Sequence, residues 1–166
     1  MAEKLLEIRD LNVTYNTDDG VVYAVNGLDL TVNKGQVLGL VGETGAGKTT
    51  MALSILRLLP DRVGKITKGD IVLDGMDIIR CTEADMKLIR GNKVSMIFQD
   101  PMTSLNPILT VGDQIAEVLE LHNKGMSKED IQSRVDEMLR LVGISPERKN
   151  DYPHQFSGGM KQRVVI

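Results

Sequence analysis

The stretch Gly42-Glu43-Thr44-Gly45-Ala46-Gly47-Lys48-Thr49 constrains this chain more than any other. It matches the pattern G-x-x-x-x-G-K-[ST] and lies between the apolar run Val37-Leu38-Gly39-Leu40-Val41 and the helix-like stretch Met51–Leu59. The spacing predicts a buried strand, a phosphate loop, and a helix from near Gly47 to near Leu59. Glycines at 42, 45 and 47 let the backbone turn tightly and bring several N–H groups onto one anion. The positive end of the helix dipole adds to them. Lys48 then reaches the β- and γ-phosphates of a nucleotide triphosphate, and the Thr49 hydroxyl holds Mg²⁺. The bland alternative is a glycine-rich turn. It is less specific than the full pattern in its strand-and-helix setting.

With 166 residues the chain can bury a real core. A net charge of −3 gives no sequence-wide footprint for nucleic acid. Cys81 is the only cysteine, which excludes an internal disulfide and points to a reducing compartment. The first ten residues lack the basic and apolar regions of a secretion signal. No apolar run approaches the roughly 18 residues of a membrane span. The expectation is a soluble cytoplasmic protein, with no direct membrane insertion, that meets a membrane only through a partner.

Residues 3–13 alternate apolar and polar and predict a half-buried strand; Val21–Val25 and Leu28–Val32 predict two more, forming an antiparallel layer. Asp70–Leu73, the turn Asp74-Gly75 and Asp77–Ile79 read as a hairpin. Thr82-x-x-Asp85 starts a helix, and Val94–Phe98 reads as a central strand. Thr110 and Ser127 open further helices, so residues 108–150 are expected to be all-helical. Near the end, Ser157 is a good N-cap, and Gly158-Gly159 leave the following helix start sterically bare. By spacing alone this is equally an anion site or a plain capped helix.

Taken in order, the phosphate loop, a Gln after a core strand, a helical insert and Phe156-Ser-Gly-Gly-Met-Lys-Gln-Arg163 resemble the ATP-binding cassette of ABC transporters. The segment Met96–Pro107 resembles the peptide and nickel import branch. Phe156 and Met160 depart from the usual Leu-Ser-Gly-Gly-Gln but are familiar in that branch. The resemblance implies an α/β fold: a P-loop NTPase core with an N-terminal antiparallel β layer and an all-helical inserted subdomain. It implies core residues 1–102, a helical subdomain 103–156, and the signature with its helix at 157–166.

By the same resemblance, Gly42, Gly45, Gly47, Lys48, Thr49 and Thr50 bind ATP and Mg²⁺. Gln99 touches the metal or the attacking water. Ser157, Gly158 and Gly159 contact the γ-phosphate of ATP held by a second cassette, and Tyr15 stacks on adenine, with simple packing as its plain alternative. His122 and His154 read as structural, since neither has a second ligand at metal spacing. The implied partners are a second cassette and transmembrane permease subunits, at the inner face of the cell membrane.

The family also needs an apolar strand ending in Asp-Glu and a switch histidine, which do not occur between the signature and Ile166. The expectation is a C-terminally incomplete cassette that binds nucleotide, hydrolyses little, and exposes an apolar sheet edge prone to self-association. Two rivals stand beside an importer subunit. A soluble ABC-type ATPase of DNA maintenance calls for a long heptad insertion or zinc-ligand cysteines, which this sequence lacks. A non-catalytic nucleotide-binding or interaction module fits the chain as it stands.

Overall fold

The computed structural model describes residues 3–98 and 103–166. The chain divides into two compact units, Met1–Val94 and Ser95–Ile166.

The first unit is built on a four-stranded antiparallel sheet in the order β2-β1-β3-β4. Its strands are β1 (Lys4–Thr17), β2 (Gly20–Asn33), β3 (Gly64–Leu73) and β4 (Met76–Asp77). The apolar positions Leu6, Ile8, Leu11 and Val13 step by two, then three, then two. The odd step is a β-bulge. Asp10 takes φ 46°, the register of β1 shifts there against both neighbours, and Ile8, Leu11 and Val13 all end up buried. Gly69 makes room for it on β3, at φ 100°, where a Cβ would lie 2.5 Å from the Asp10 carbonyl oxygen.

Helix α1 (Lys48–Leu56) buries Met51 and Leu56, and α2 (Glu83–Ile89) buries Met86 and Ile89. With Ile8, Leu11, Val13, Ile71 and Ile78, Met51, Met86 and Ile89 belong to one hydrophobic core. The α1 helix stops earlier than its apolar pattern suggests. Arg57 adopts a left-handed conformation and returns its N–H to Leu53 and Ser54, so Arg57–Leu59 lie beyond the helix.

In the second unit, α3 (Val111–His122) and α4 (Lys128–Leu141) share a core of Val111, Ala116, Ile131, Val135, Leu139, Ile144 and Phe156. Two 3₁₀ turns, Pro146–Asn150 and Pro153–Gln155, lead into α5 (Gly158–Val165). Gly112 lets α3 approach the first of these turns closely, since a Cβ there would lie 2.8 Å from the Lys149 carbonyl oxygen.

Three expectations are corrected. Val37–Val41 forms no strand, and Val37 and Val41 are 97% and 94% exposed. An apolar run of this kind is held by parallel neighbours on both sides. Among the described residues the only parallel pairing is the single bridge Arg90↔Val94. For the same reason Val94–Phe98 is not a central strand: beyond that bridge, Ser95–Phe98 is irregular, with Ile97 and Phe98 exposed. Val21–Val25 and Leu28–Val32 are one continuous strand. Gly27 takes φ 64° between them, its N–H held by the Asn12 side chain at 3.1 Å, and β2 resumes.

Candidate functional site

The phosphate-loop residues come together at the start of α1. Gly47 is the N-cap, with φ 79°, and it has no side chain with which to cap. A Cβ on Gly47 would fall 2.4 Å from the Ala24 carbonyl oxygen and 3.2 Å from Val25 Cγ2. The loop is therefore seated directly on the backbone of β2, where only glycine fits. Gly45, at φ 86°, turns in open space. The first α1 bond runs from Met51 N–H to Gly47 C=O at 2.9 Å, so the N–H groups just before it lack helical partners.

Lys48 folds over the loop. Its ammonium donates to the carbonyls of Gly42 at 2.5 Å and Glu43 at 2.7 Å, and among the described residues it has no carboxylate partner. Thr49 is exposed, and Thr50 Oγ1 lies 3.2 Å from the Tyr15 hydroxyl, which ties β1 to α1. The Tyr15 ring packs on Gly64, where a Cβ would meet Cε1 at 3.0 Å. Beside the loop, Ala24–Asp29, Leu40, Val41, Ala46–Lys48 and Met51 line an open hollow of about 400 Å³. Gln99 lies outside the described residues.

Ser157 caps α5 and accepts from Met160 N–H at 3.4 Å. Gly158 and Gly159 form the exposed first turn of the helix, and a Cβ on Gly159 would meet nothing within 4 Å. The stretch is braced from behind. Phe156 is buried in the core of this unit, and Arg163 Nη1 donates to the carbonyls of Val142 at 2.8 Å and Gly143 at 3.0 Å. That bond satisfies carbonyls at the end of α4.

A comparison of helix starts separates these two places from the rest. Thr82, Thr110 and Ser127 cap α2, α3 and α4, and each hydroxyl also donates to an aspartate three residues on, at 2.6, 2.6 and 2.7 Å. These helices fill their own positive ends with a carboxylate. In α2 the Thr82 side-chain and backbone donors hold the Asp85 carboxyl below its ordinary range. Helices α1 and α5 have no acidic residue in the first turn. Met160 occupies the third position after Ser157, and its thioether sulfur is only a weak acceptor where an aspartate would offer a carboxylate. Neither of these helix starts carries a carboxylate of its own, and at the first a glycine backbone, a cation without an acid and the Thr49 hydroxyl are a donor set that fits a metal-bound polyphosphate.

His154 stacks on Tyr152 with ring centroids 5.8 Å apart, and no group of three or more His, Cys, Asp or Glu able to hold a metal occurs among the described residues. Among those residues, no helix is long and apolar enough to cross a membrane.

Sequence reasoning did not find the seat at Ala24, or Arg148 and Arg163 behind Ser157. The first is a backbone contact and leaves no residue-type signal. The arginines read as ordinary surface charges until the chain brings their acceptors to them.

The ABC transporter family profile matches residues 25–166. The chain is 46% identical over 167 residues to the probable peptide ABC transporter ATP-binding protein y4tR of Sinorhizobium fredii, covering 99% of this chain and 50% of that protein. It is 47% identical over 165 residues to the oligopeptide transport ATP-binding protein OppD of Bacillus subtilis, covering 98% of this chain and 46% of that protein. The chain thus spans about half the length of the curated relatives it matches. Among solved structures, the ATP-binding cassette MJ0796, dimeric and bound to ADP and Pi after hydrolysis, superposes with a TM-score of 0.83 at 27% identity, covering 97% of this chain and 67% of that one.

Proposed function

This chain belongs to the ABC transporter family, and on that premise we propose that it is the ATP-binding part of an importer of oligopeptides or dipeptides. The observation that carries the proposal is the loop at Gly42–Thr49: a glycine seat on β2, a lysine with no acid beside it, and a helix start without a cap of its own. The peptide assignment is supported by the names of the relatives, each an ATP-binding protein of peptide transport.

In this reading Gly42, Gly45, Gly47, Lys48, Thr49 and Thr50 hold the triphosphate, and Tyr15 stacks on adenine. Lys48 leaves two neutral carbonyls for the β- and γ-phosphates, a stronger, charge-assisted contact. Thr49 would hold Mg²⁺, which would supply neutralisation of phosphate charge, and Gln99 is the further residue proposed to touch the metal or the attacking water. Ser157, Gly158 and Gly159 present a hydroxyl and helix N–H groups to the γ-phosphate bound by a second cassette. ATP favours the closed pair over the open one, hydrolysis removes that preference, and permease subunits at the inner face of the membrane respond to the difference.

The test is uptake by membrane vesicles holding the full-length subunit, its partner cassette and the permease. Labelled oligopeptide or dipeptide is expected to accumulate with ATP inside, and not with Lys48→Ala. Nickel accumulation without peptide would reassign the cargo. Neither uptake nor ATP hydrolysis in the complete assembly would leave only a binding module.

A further inference from the structure

Arg148 stands in the middle of the first 3₁₀ turn of the second unit and reaches both sides of Ser157 in sequence. Its Nε donates to Asp151 Oδ2 at 2.8 Å, and its Nη2 donates to the Gln155 carbonyl at 2.9 Å. The guanidinium carbon stands 4.5 Å from the centroid of the buried Phe156 ring. Its Nη1 lies 3.4 Å from Met160 Sδ. One planar group thus holds the two residues before Ser157 and the third residue after it.

These contacts involve the two positions at which this signature departs from Leu-Ser-Gly-Gly-Gln. Phe156 supplies the ring under the guanidinium, and Met160 supplies the sulfur beside it. The substitutions act together through Arg148. Met160 also stands where α2, α3 and α4 carry an aspartate, so the Ser157 hydroxyl has no carboxylate partner of the kind that serves Thr82, Thr110 and Ser127. The Ser157–Met160 cap bond is long, at 3.4 Å, and fixes the turn weakly on its own. Direction must come from elsewhere, and Arg148 is tied to both flanks.

We propose that Arg148 is a positioning residue for the second half-site, aiming the Ser157 hydroxyl and the first N–H groups of α5 at a nucleotide phosphate held by another cassette. It acts through Gln155, Phe156 and Met160 and does not touch the nucleotide. The proposal rests on the role given above to Ser157. It also requires arginine: lysine keeps the charge but cannot donate in a fork while lying flat on a ring.

The experiment uses full-length subunits and a non-hydrolysable ATP analogue, with cassette pairing followed by sedimentation and nucleotide affinity measured on the unpaired subunit. Arg148→Lys is expected to weaken analogue-driven pairing about tenfold and raise KM for ATP comparably. Affinity of the unpaired subunit should stay within about twofold of wild type. Ser157→Arg is the reference and should abolish pairing. If Ser157→Arg pairs normally, the underlying role of Ser157 fails, and this proposal with it. If Ser157→Arg is defective while Arg148→Lys pairs like wild type, only the proposal for Arg148 is overturned. An Arg148→Lys protein that melts earlier yet pairs normally also overturns it. Should that variant not fold, Arg148→Gln, which keeps a donor and removes the charged fork, takes its place, and normal pairing there is equally fatal.

Discussion

The starts of α1 and α5 are alike in what they lack and different in what they offer. Neither has an acidic residue in its first turn. At α1 a cation, Lys48, stands at the mouth of the loop, and there is no side-chain cap. At α5 there is a serine cap, Lys161 follows Met160 on the helix, and Arg148 and Arg163 are turned onto carbonyls, a carboxylate and an aromatic ring. One place leads with a lysine folded over its loop; the other leads with a hydroxyl and bare backbone. On the proposed function this is a division of labour. The loop would supply affinity, and the Ser157 turn a contact that depends on where the phosphate sits.

The sharpest way to break this comparison is Lys48→Ala. It should raise the dissociation constant for Mg-ATP about a hundredfold or more, read by displacement of a fluorescent analogue. Retained affinity would mean that the cation is not what distinguishes the loop. Gly47→Ala comes next. Its Cβ would meet the Ala24 carbonyl in a backbone conformation unfavourable to L-residues, at a cost of about 1–3 kcal/mol in chemical denaturation. Gly159→Ala, in open space, should change stability by less than about 0.5 kcal/mol. Equal costs at the two glycines would show that the loop is not seated on β2.

A finer test sets the caps against each other. Thr110→Ala should cost about 1 kcal/mol in urea unfolding. Ser157→Ala should cost less than half of that, since its cap bond is longer and not reinforced by an aspartate. A full cost at Ser157 would mean that its hydroxyl is already committed to the fold.

The smallest effect is acid sensitivity. Asp85 is held low first by the Thr82 side chain, and Glu83 first by Arg90, so protons bind the unfolded chain more readily at both. The stability they add is whole above the ordinary carboxylate value near about 4, and it is lost as pH falls through their lower folded values. Asp85→Asn should flatten that acid limb. An unchanged limb would remove the carboxylate from the account of α2.

What was legible in the sequence followed the range of the interaction. Thr82, Thr110, Ser127 and Ser157 were all visible as helix starts, because a cap acts within three residues of its hydroxyl. The phosphate loop was visible for the same reason. Val37–Val41 and Val94–Phe98 misled because a strand exists only with a partner, and apolar composition does not name one. The apparent break at Gly27 was invisible as continuity, since it depends on Asn12, fifteen residues earlier. The candidate site was legible as a set of residue types, while Arg148 showed its use only once Gln155, Phe156 and Met160 were gathered around it.

The bulge at Asp10 keeps Ile8, Leu11 and Val13 on the buried face, and a second shift between Leu11 and Val13 restores the register with β2. Beyond it Val13 pairs with Val25, the neighbour of the Ala24 carbonyl on which Gly47 is seated. A one-residue deletion between Ile8 and Leu11 would restore plain alternation on β1 but leave the matching irregularities at Gly27 and Gly69 without a counterpart. It would also slide Val25 and Ala24 along the sheet, away from a glycine more than twenty residues downstream. The phosphate loop therefore depends on a correct count of residues in a strand that never approaches it in sequence.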